Sequence, residues 1–146
     1  MTGTFRLANE TWEALFRAQA TLAREFEASG VWGGLPPREY GVLYALTGQE
    51  DGLRITELMD DALLTQAGIS RLVARLERRG LVERRADPDD GRASRIVLTA
   101  EGRAVQASVG RRHARHVAEA MTRALTTEQL EQLRELSRAL VAGEQP

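Results

Sequence analysis

The sequence predicts a mainly α-helical fold carrying one small β-hairpin, and three observations predict it. Apolar residues recur at spacings of three and four along most of the chain, the signature of helices with one buried stripe. One pair of short extended segments, Leu81 to Arg85 and Ser94 to Leu98, flanks a polar turn and reads as a hairpin. Helix start and stop residues stand where these patterns change: Pro36-Pro37, Thr99 and Thr126 at starts, Gly30 and Gly80 at ends. At 146 residues the chain is long enough to bury a real core and is read as a single domain, 1–146.

The first helix carries Trp12, Leu15, Phe16, Leu22, Ala23 and Phe26 on its apolar stripe and ends near Ser29-Gly30. Pro36-Pro37 opens the second, with Tyr40, Leu43, Tyr44 and Leu46 as the expected buried face, and Gly48 to Gly52 breaks it. Leu53-Arg54-Ile55 is a short extended piece. Thr56 is read as the N-cap of a third helix containing Leu58 and Met59, ending around Asp61 to Leu64. From Thr65 to Arg79 the period is clearest: Ile69, Leu72, Val73 and Leu76 form the stripe, Gly80 is the C′ stop, and Gln66, Ser70, Arg71, Arg75, Arg78 and Arg79 occupy the other faces. After the hairpin, Thr99 caps a long helix towards Leu125 with Val105, Val109, Val117 and Met121 as apolar positions. A capping box at Thr126 to Gln129 opens a last helix striped by Leu130, Leu133, Leu136 and Leu140.

Composition excludes several classes of chemistry. The chain has no cysteine, which removes disulfides, thiolate metal sites, cysteine nucleophiles and thiol redox sensing together. No segment approaches the ~20 apolar residues of a membrane span, and Met1 to Glu10 lacks the pattern of a secretory leader, so a soluble cytoplasmic protein without a membrane partner is expected. The net charge of −1 gives no general affinity for nucleic acid, but charge is unevenly placed. Between Thr65 and Arg95 eight arginines face five acids, and the acids gather around one turn.

A short helix, a tight connection, a second helix with basic faces and then a hairpin make a winged helix-turn-helix, centred on Leu63 to Thr99. An α-helix fits the major groove of B-DNA, and the N-terminal residues of the second helix reach base edges. Here those are Thr65, Gln66, Gly68, Ser70 and Arg71, with Arg75 further along and Arg95 in the wing. Glutamine can pair with adenine through two hydrogen bonds, serine and threonine with several bases, and arginine with guanine or phosphate. Arg92 at the hairpin tip is placed to enter a minor groove, where a narrow A/T-rich segment attracts arginine, and Asp90 can orient it by an ion pair. The helix pattern alone reads better as a solvated arginine face than as a DNA contact. The adjoining basic hairpin favours duplex DNA, while a winged helix that binds protein instead of DNA stays open as the alternative.

The run Ile69-Ser70-Arg71-Leu72-Val73-Ala74-Arg75-Leu76-Glu77-Arg78-Arg79-Gly80-Leu81-Val82-Glu83-Arg84, with Asp89-Asp90-Gly91-Arg92-Ala93 and Leu98-Thr99-Ala100-Glu101-Gly102, resembles the MarR family of bacterial regulators across about Thr56 to Gly102. The resemblance implies a homodimer on a near-palindromic operator, usually a repressor released by a small aromatic or anionic ligand. It places the recognition helix on Thr65 to Arg79 and the wing aspartate and minor-groove arginine on Asp90 and Arg92. Gly91 stands where the family often has a further arginine, which implies a looser tip. It also divides the chain into dimerisation helices at 1–30 and 100–146 around a DNA-binding module at about 36–99. Dimer contacts are then expected at Trp12, Phe16, Leu130, Leu133 and Leu136, since the stripes of the first and last helices need a partner, within the chain or from a second copy. Two modules related by a twofold axis meet successive major grooves about one helical turn apart.

The family's usual ligand pocket makes Trp32, Tyr40 and Tyr44 the ligand candidates, against the alternative that aromatics at helical spacing are core. His113 and His116, three apart on one helix, have no cysteine and no paired acid nearby in sequence, so a solvated or interface role is expected and no metal or cofactor. With both histidines in one helix, no nucleophile elbow and no phosphate-binding glycine loop, the chain is not read as an enzyme and no catalytic residue is assigned.

Overall fold

The computed structural model describes residues 2–62 and 66–143, with residues 61, 62 and 66 described by backbone alone. Among these lie six α-helices and two strands: α1 (Gly3–Ala28), α2 (Pro37–Ala45), α3 (Ile55–Ala62), α4 (Gln66–Arg78), β1 (Val82–Ala86), β2 (Ser94–Leu98), α5 (Ala100–Ala124) and α6 (Thr127–Ala142). The mainly α fold with one hairpin is as expected. The chain forms two compact units, residues 29–113 and residues 1–28 with 114–146, and their boundary falls within α5.

In the 29–113 unit, α2, α3 and α4 pack on one another, and α4 and α3 pack on the hairpin. Ile69, Leu72, Val73 and Leu76 of α4 are buried with Leu43 and Leu46 of the α2 region, Leu58 of α3, and Ile96 and Leu98 of β2. Each such side chain contributes about 1.5–3 kcal/mol by leaving water. The strands are antiparallel in the register Val82↔Leu98 to Ala86↔Ser94. Leu53 adds an isolated bridge to Ile96, each residue's N–H donating to the other's carbonyl at 3.0 and 2.8 Å.

Two local details differ from the sequence reading. The third helix is capped by Arg54 rather than Thr56, because the Glu57 carboxylate accepts the Arg54 N–H at 3.0 Å and satisfies that end two residues earlier. Tyr44 does not share the buried face of α2, since 64% of it is exposed while Tyr40 and Leu43 are buried.

The end of α4 and the start of α5 are locked together. Gly80, at φ +73°, closes a Schellman motif in which its N–H donates to the Glu77 carbonyl and the Leu81 N–H to the Leu76 carbonyl, both at 3.0 Å. Thr99 then does three things. Its hydroxyl donates to the Gly80 carbonyl at 2.6 Å and accepts the Gly102 N–H at 3.0 Å, while its own N–H donates to the Leu81 carbonyl at 3.1 Å. The first turn of α5 therefore sits directly on the Leu81 backbone, and a Cβ on Gly102 would lie 1.9 Å from the Leu81 oxygen.

In the other unit, the tips of α1 and α5 meet through Glu25, which accepts from Arg123 at 2.9 Å and lies 3.6 Å from His116 Nε2, and through a Phe26–His116 edge contact at 5.2 Å. Neither α1 nor α6 buries any residue in the single chain, and Trp12 and Phe16 are each about 60% exposed. The Thr126–Gln129 capping box forms as expected. Among the described residues no helix is long and apolar enough to cross a membrane.

Because the Leu81 carbonyl fills the space of the missing side chain, Gly102→Ala should cost about 3 kcal/mol, the upper end for overpacking. Urea unfolding at neutral pH reads it; a shift within about 0.5 kcal/mol, the range of an ordinary surface change, would contradict the close approach.

Candidate nucleic-acid interface

The buried stripe of α4 fixes which residues face outward. With Ile69, Val73 and Leu76 in the core, Arg71 and Arg78 fall on the opposite side and Arg75 and Arg79 on one flank, all exposed, while Ser70 and Gly68 are half-buried. Thr65 lies outside the described residues, as does the side chain of Gln66, so the sequence-named opening of this helix is represented here by Gly68, Ser70 and Arg71.

The arginines divide by partner. Arg75 and Arg79 both donate to Glu39 of α2, at 2.9 and 3.3 Å, and that carboxylate is buried. Arg84 pairs with Glu77 and Arg85 with Glu83 on the surface, contacts that contribute little in water. Among the described residues Arg71, Arg78 and Arg92 have no ion-pair partner within 4.0 Å.

The hairpin is anchored at the root of its turn by Asp87, a buried carboxylate that follows β1 and reaches Arg54 at the start of α3. Arg54 and Arg95 both donate to its Oδ2, Arg95 at 3.2 Å, and the Asp89 N–H donates to its Oδ1 at 2.9 Å. The Arg54 hydrogen bond foremost, then the Asp89 N–H, with the charges of Arg54 and Arg95, outweigh burial and hold the Asp87 carboxyl at about 2. Reciprocally, the Asp87 hydrogen bond and charge raise the pKa of Arg54.

Arg95, named from sequence as a DNA contact, is thus engaged by Asp87 and by the Gly52 carbonyl at 3.4 Å, and only 21% of its side chain is exposed. Asp90 meets Arg92 differently from the expected ion pair: its carboxylate accepts the Arg92 backbone N–H at 3.0 Å. With the Ala93 N–H on the Asp90 carbonyl, this folds the tip and leaves the Arg92 side chain exposed.

The sequence-named ligand aromatics come together in part. Trp32 and Tyr40 are buried with ring centroids 5.5 Å apart, and His113 lies 4.8 Å from Trp32 and 5.7 Å from Tyr40. Tyr44 stands 6.2 Å from Tyr40 on the exposed side. A cleft of about 510 Å³ opens elsewhere in this unit, bounded by Leu46, Gln49, Arg85, Val97, Arg103 and Gln106, and these aromatics do not line it. Sequence reasoning missed Glu39, Arg54 and Asp87, because an acid in a first helical turn or a polar turn looks solvated until its partners are seen.

Fold and surface define a winged helix-turn-helix protein with an arginine-bearing second helix and wing. A MarR family profile matches residues 33–93. Sco3205, a MarR family transcriptional regulator from Streptomyces coelicolor solved in complex with DNA, is 32% identical with a TM-score of 0.80, covering 100% of this chain and 91% of that one. The chain belongs to the MarR family. CouR from Rhodococcus jostii RHA1, solved bound to p-coumaroyl-CoA, is 26% identical with a TM-score of 0.77, covering 92% of this chain and 93% of CouR. The transcriptional regulator HosA of Escherichia coli O111:H- is 37% identical over 70 residues, 48% of this chain and 51% of HosA; the chain spans about half the length of the curated relatives it matches. The family is non-enzymatic, in agreement with the sequence reading.

The depressed acidity of Asp87 makes a signed prediction. A carboxyl at about 2 in the fold and about 3.9 in the unfolded chain stabilises fully above about pH 4 and loses that contribution as pH falls through about 2. In urea titrations, the stability gap between the protein and Asp87→Asn should therefore be widest near neutral pH and shrink from about pH 4 downward. A gap unchanged down to about pH 2 would mean that the carboxylate charge is not what holds the wing.

Proposed function

We propose that the chain is a sequence-specific double-stranded DNA-binding transcription regulator. It acts as a homodimer on a near-palindromic operator, as a repressor released by a small aromatic or anionic ligand. The observation that carries this reading is a group of arginines on α4 and the wing, Arg71, Arg78 and Arg92, that have no ion-pair partner among the described residues and stand on a braced winged helix. Likeness to Sco3205, solved with DNA, supports it.

In this reading α4 enters the major groove. The sequence-named contacts Thr65, Gln66, Gly68, Ser70 and Arg71 are proposed to meet base edges, with Arg75 further along α4, and Arg92 to enter the minor groove from a tip folded by Asp90. Arg95 serves by bracing the wing on Asp87 rather than by touching DNA. The exposed stripes of α1 and α6 support residues 1–30 and 100–146 as dimerisation helices around a module at about 36–99. Trp12, Phe16, Leu130, Leu133 and Leu136 are then covered by a second copy, since apolar faces of this size are seldom left in water. That a small ligand binds draws support from CouR, solved bound to p-coumaroyl-CoA, and here the ligand is proposed to meet Trp32 and Tyr40 with Tyr44 at their exposed edge. A cytoplasmic location follows from the DNA partner.

Selection of bound sequences from random duplexes tests DNA binding and twofold symmetry together. An inverted repeat with half-sites about one helical turn apart is expected; recovery of no preferred sequence would leave the protein-binding winged helix as the better account. On the selected duplex, Arg92→Ala should weaken binding with fold and dimer intact, while Ser70→Ala or Gln66→Ala should relax base preference. Uniform weakening across sequences by the latter two would reassign them to backbone contact.

A further inference from the structure

We propose that Glu39 is a specificity-determining residue: its buried carboxylate takes the Arg75 and Arg79 guanidiniums away from indiscriminate phosphate binding and fixes Arg75 for base contact. This rests on the reading that α4 enters the major groove.

Glu39 sits in the first turn of α2 with 4% of its side chain exposed, an unusual place for an acid. Its two oxygens are used separately, Oε1 accepting from Arg75 Nε at 2.9 Å and Oε2 from an Arg79 terminal nitrogen at 3.3 Å. One carboxylate thereby grips Arg75 of α4 and Arg79 just past its end, one turn apart, while 48% and 45% of the two arginine side chains still face water. The next residue on α2, Tyr40, is wedged against Trp32 and His113, so the carboxylate is carried by a turn packed in the core.

A mobile arginine on a recognition helix meets a phosphate at any sequence and raises affinity everywhere. An arginine gripped through Nε keeps its terminal nitrogens in one direction, and losing that freedom before binding favours the one base edge that fits. The clamp also cancels one of the two charges. Arg71, Arg78 and Arg92 lie outside it and supply the general attraction. Among the arginines behind the leading end of α4, an acid of this chain thus decides which are held from phosphate and which add to the general attraction.

The test is fluorescence anisotropy of the full chain on a duplex selected from a random pool and on its shuffled counterpart, between about 50 and about 200 mM NaCl. The unaltered protein should prefer the selected duplex. Glu39→Gln should bind the shuffled duplex more tightly, steepen its salt slope by about 0.9 for each arginine set free, and reduce the preference about tenfold or more. Equal weakening on both duplexes with the slope unchanged would reduce Glu39 to a structural support and overturn the proposal. Should Glu39→Gln fail to fold by circular dichroism, Arg79→Gln decides: an unchanged slope on the shuffled duplex is expected. A slope shallower by about 0.9 would show Arg79 already on phosphate and overturn the proposal. If the unaltered protein binds neither duplex, the DNA reading itself falls and the proposal with it.

Discussion

The winged module depends on one buried charge cluster, Asp87 between Arg54 and Arg95. A two-stranded hairpin has too little apolar surface to hold its own place, and here the exposed end of β1 carries charged residues. Asp87 closes that gap, since its carboxylate joins the residue that caps α3 to the strand that ends in the core. Its burial is tolerable because three hydrogen bonds surround it. The same contact ties the residue before α3 to β2, so hairpin and helices hold one arrangement.

Around that anchor the chain sorts its arginines into structural and open ones. Arg54 and Arg95 serve Asp87, Arg75 and Arg79 serve Glu39, and Arg84 and Arg85 meet surface acids. What remains without an ion-pair partner among the described residues on this face is Arg71, Arg78 and Arg92. A chain with net charge −1 thereby keeps a locally cationic surface, which the total charge conceals.

Much of this was legible in the sequence where the signal was local. The Gly80 stop, the Thr99 and Thr126 caps, the stripe of α4 and the hairpin depend on residues within a few positions of one another, and they form as read. The cap of α3 was misplaced because Thr56 has the better N-cap chemistry alone, whereas Glu57 reaching back to Arg54 decides the matter. Spacing alone points Tyr44 inward, because spacing cannot tell where the core ends. Glu39 and Asp87 were invisible for a different reason: their partners lie 36 and 40, and 33 and 8, residues away. Arg95 shows the converse: a basic residue of the hairpin, expected from sequence on DNA, is held by an acid of its own chain eight residues away.

The central claim is that α4 and the wing read duplex DNA. Titrating the protein with the duplex upstream of its own coding sequence at about 50 and about 200 mM salt tests it most directly. Selective binding that weakens steeply between the two is predicted, by about a thousandfold or more if six or more phosphates are met. Binding that is absent, or equal at both salt concentrations, would contradict it.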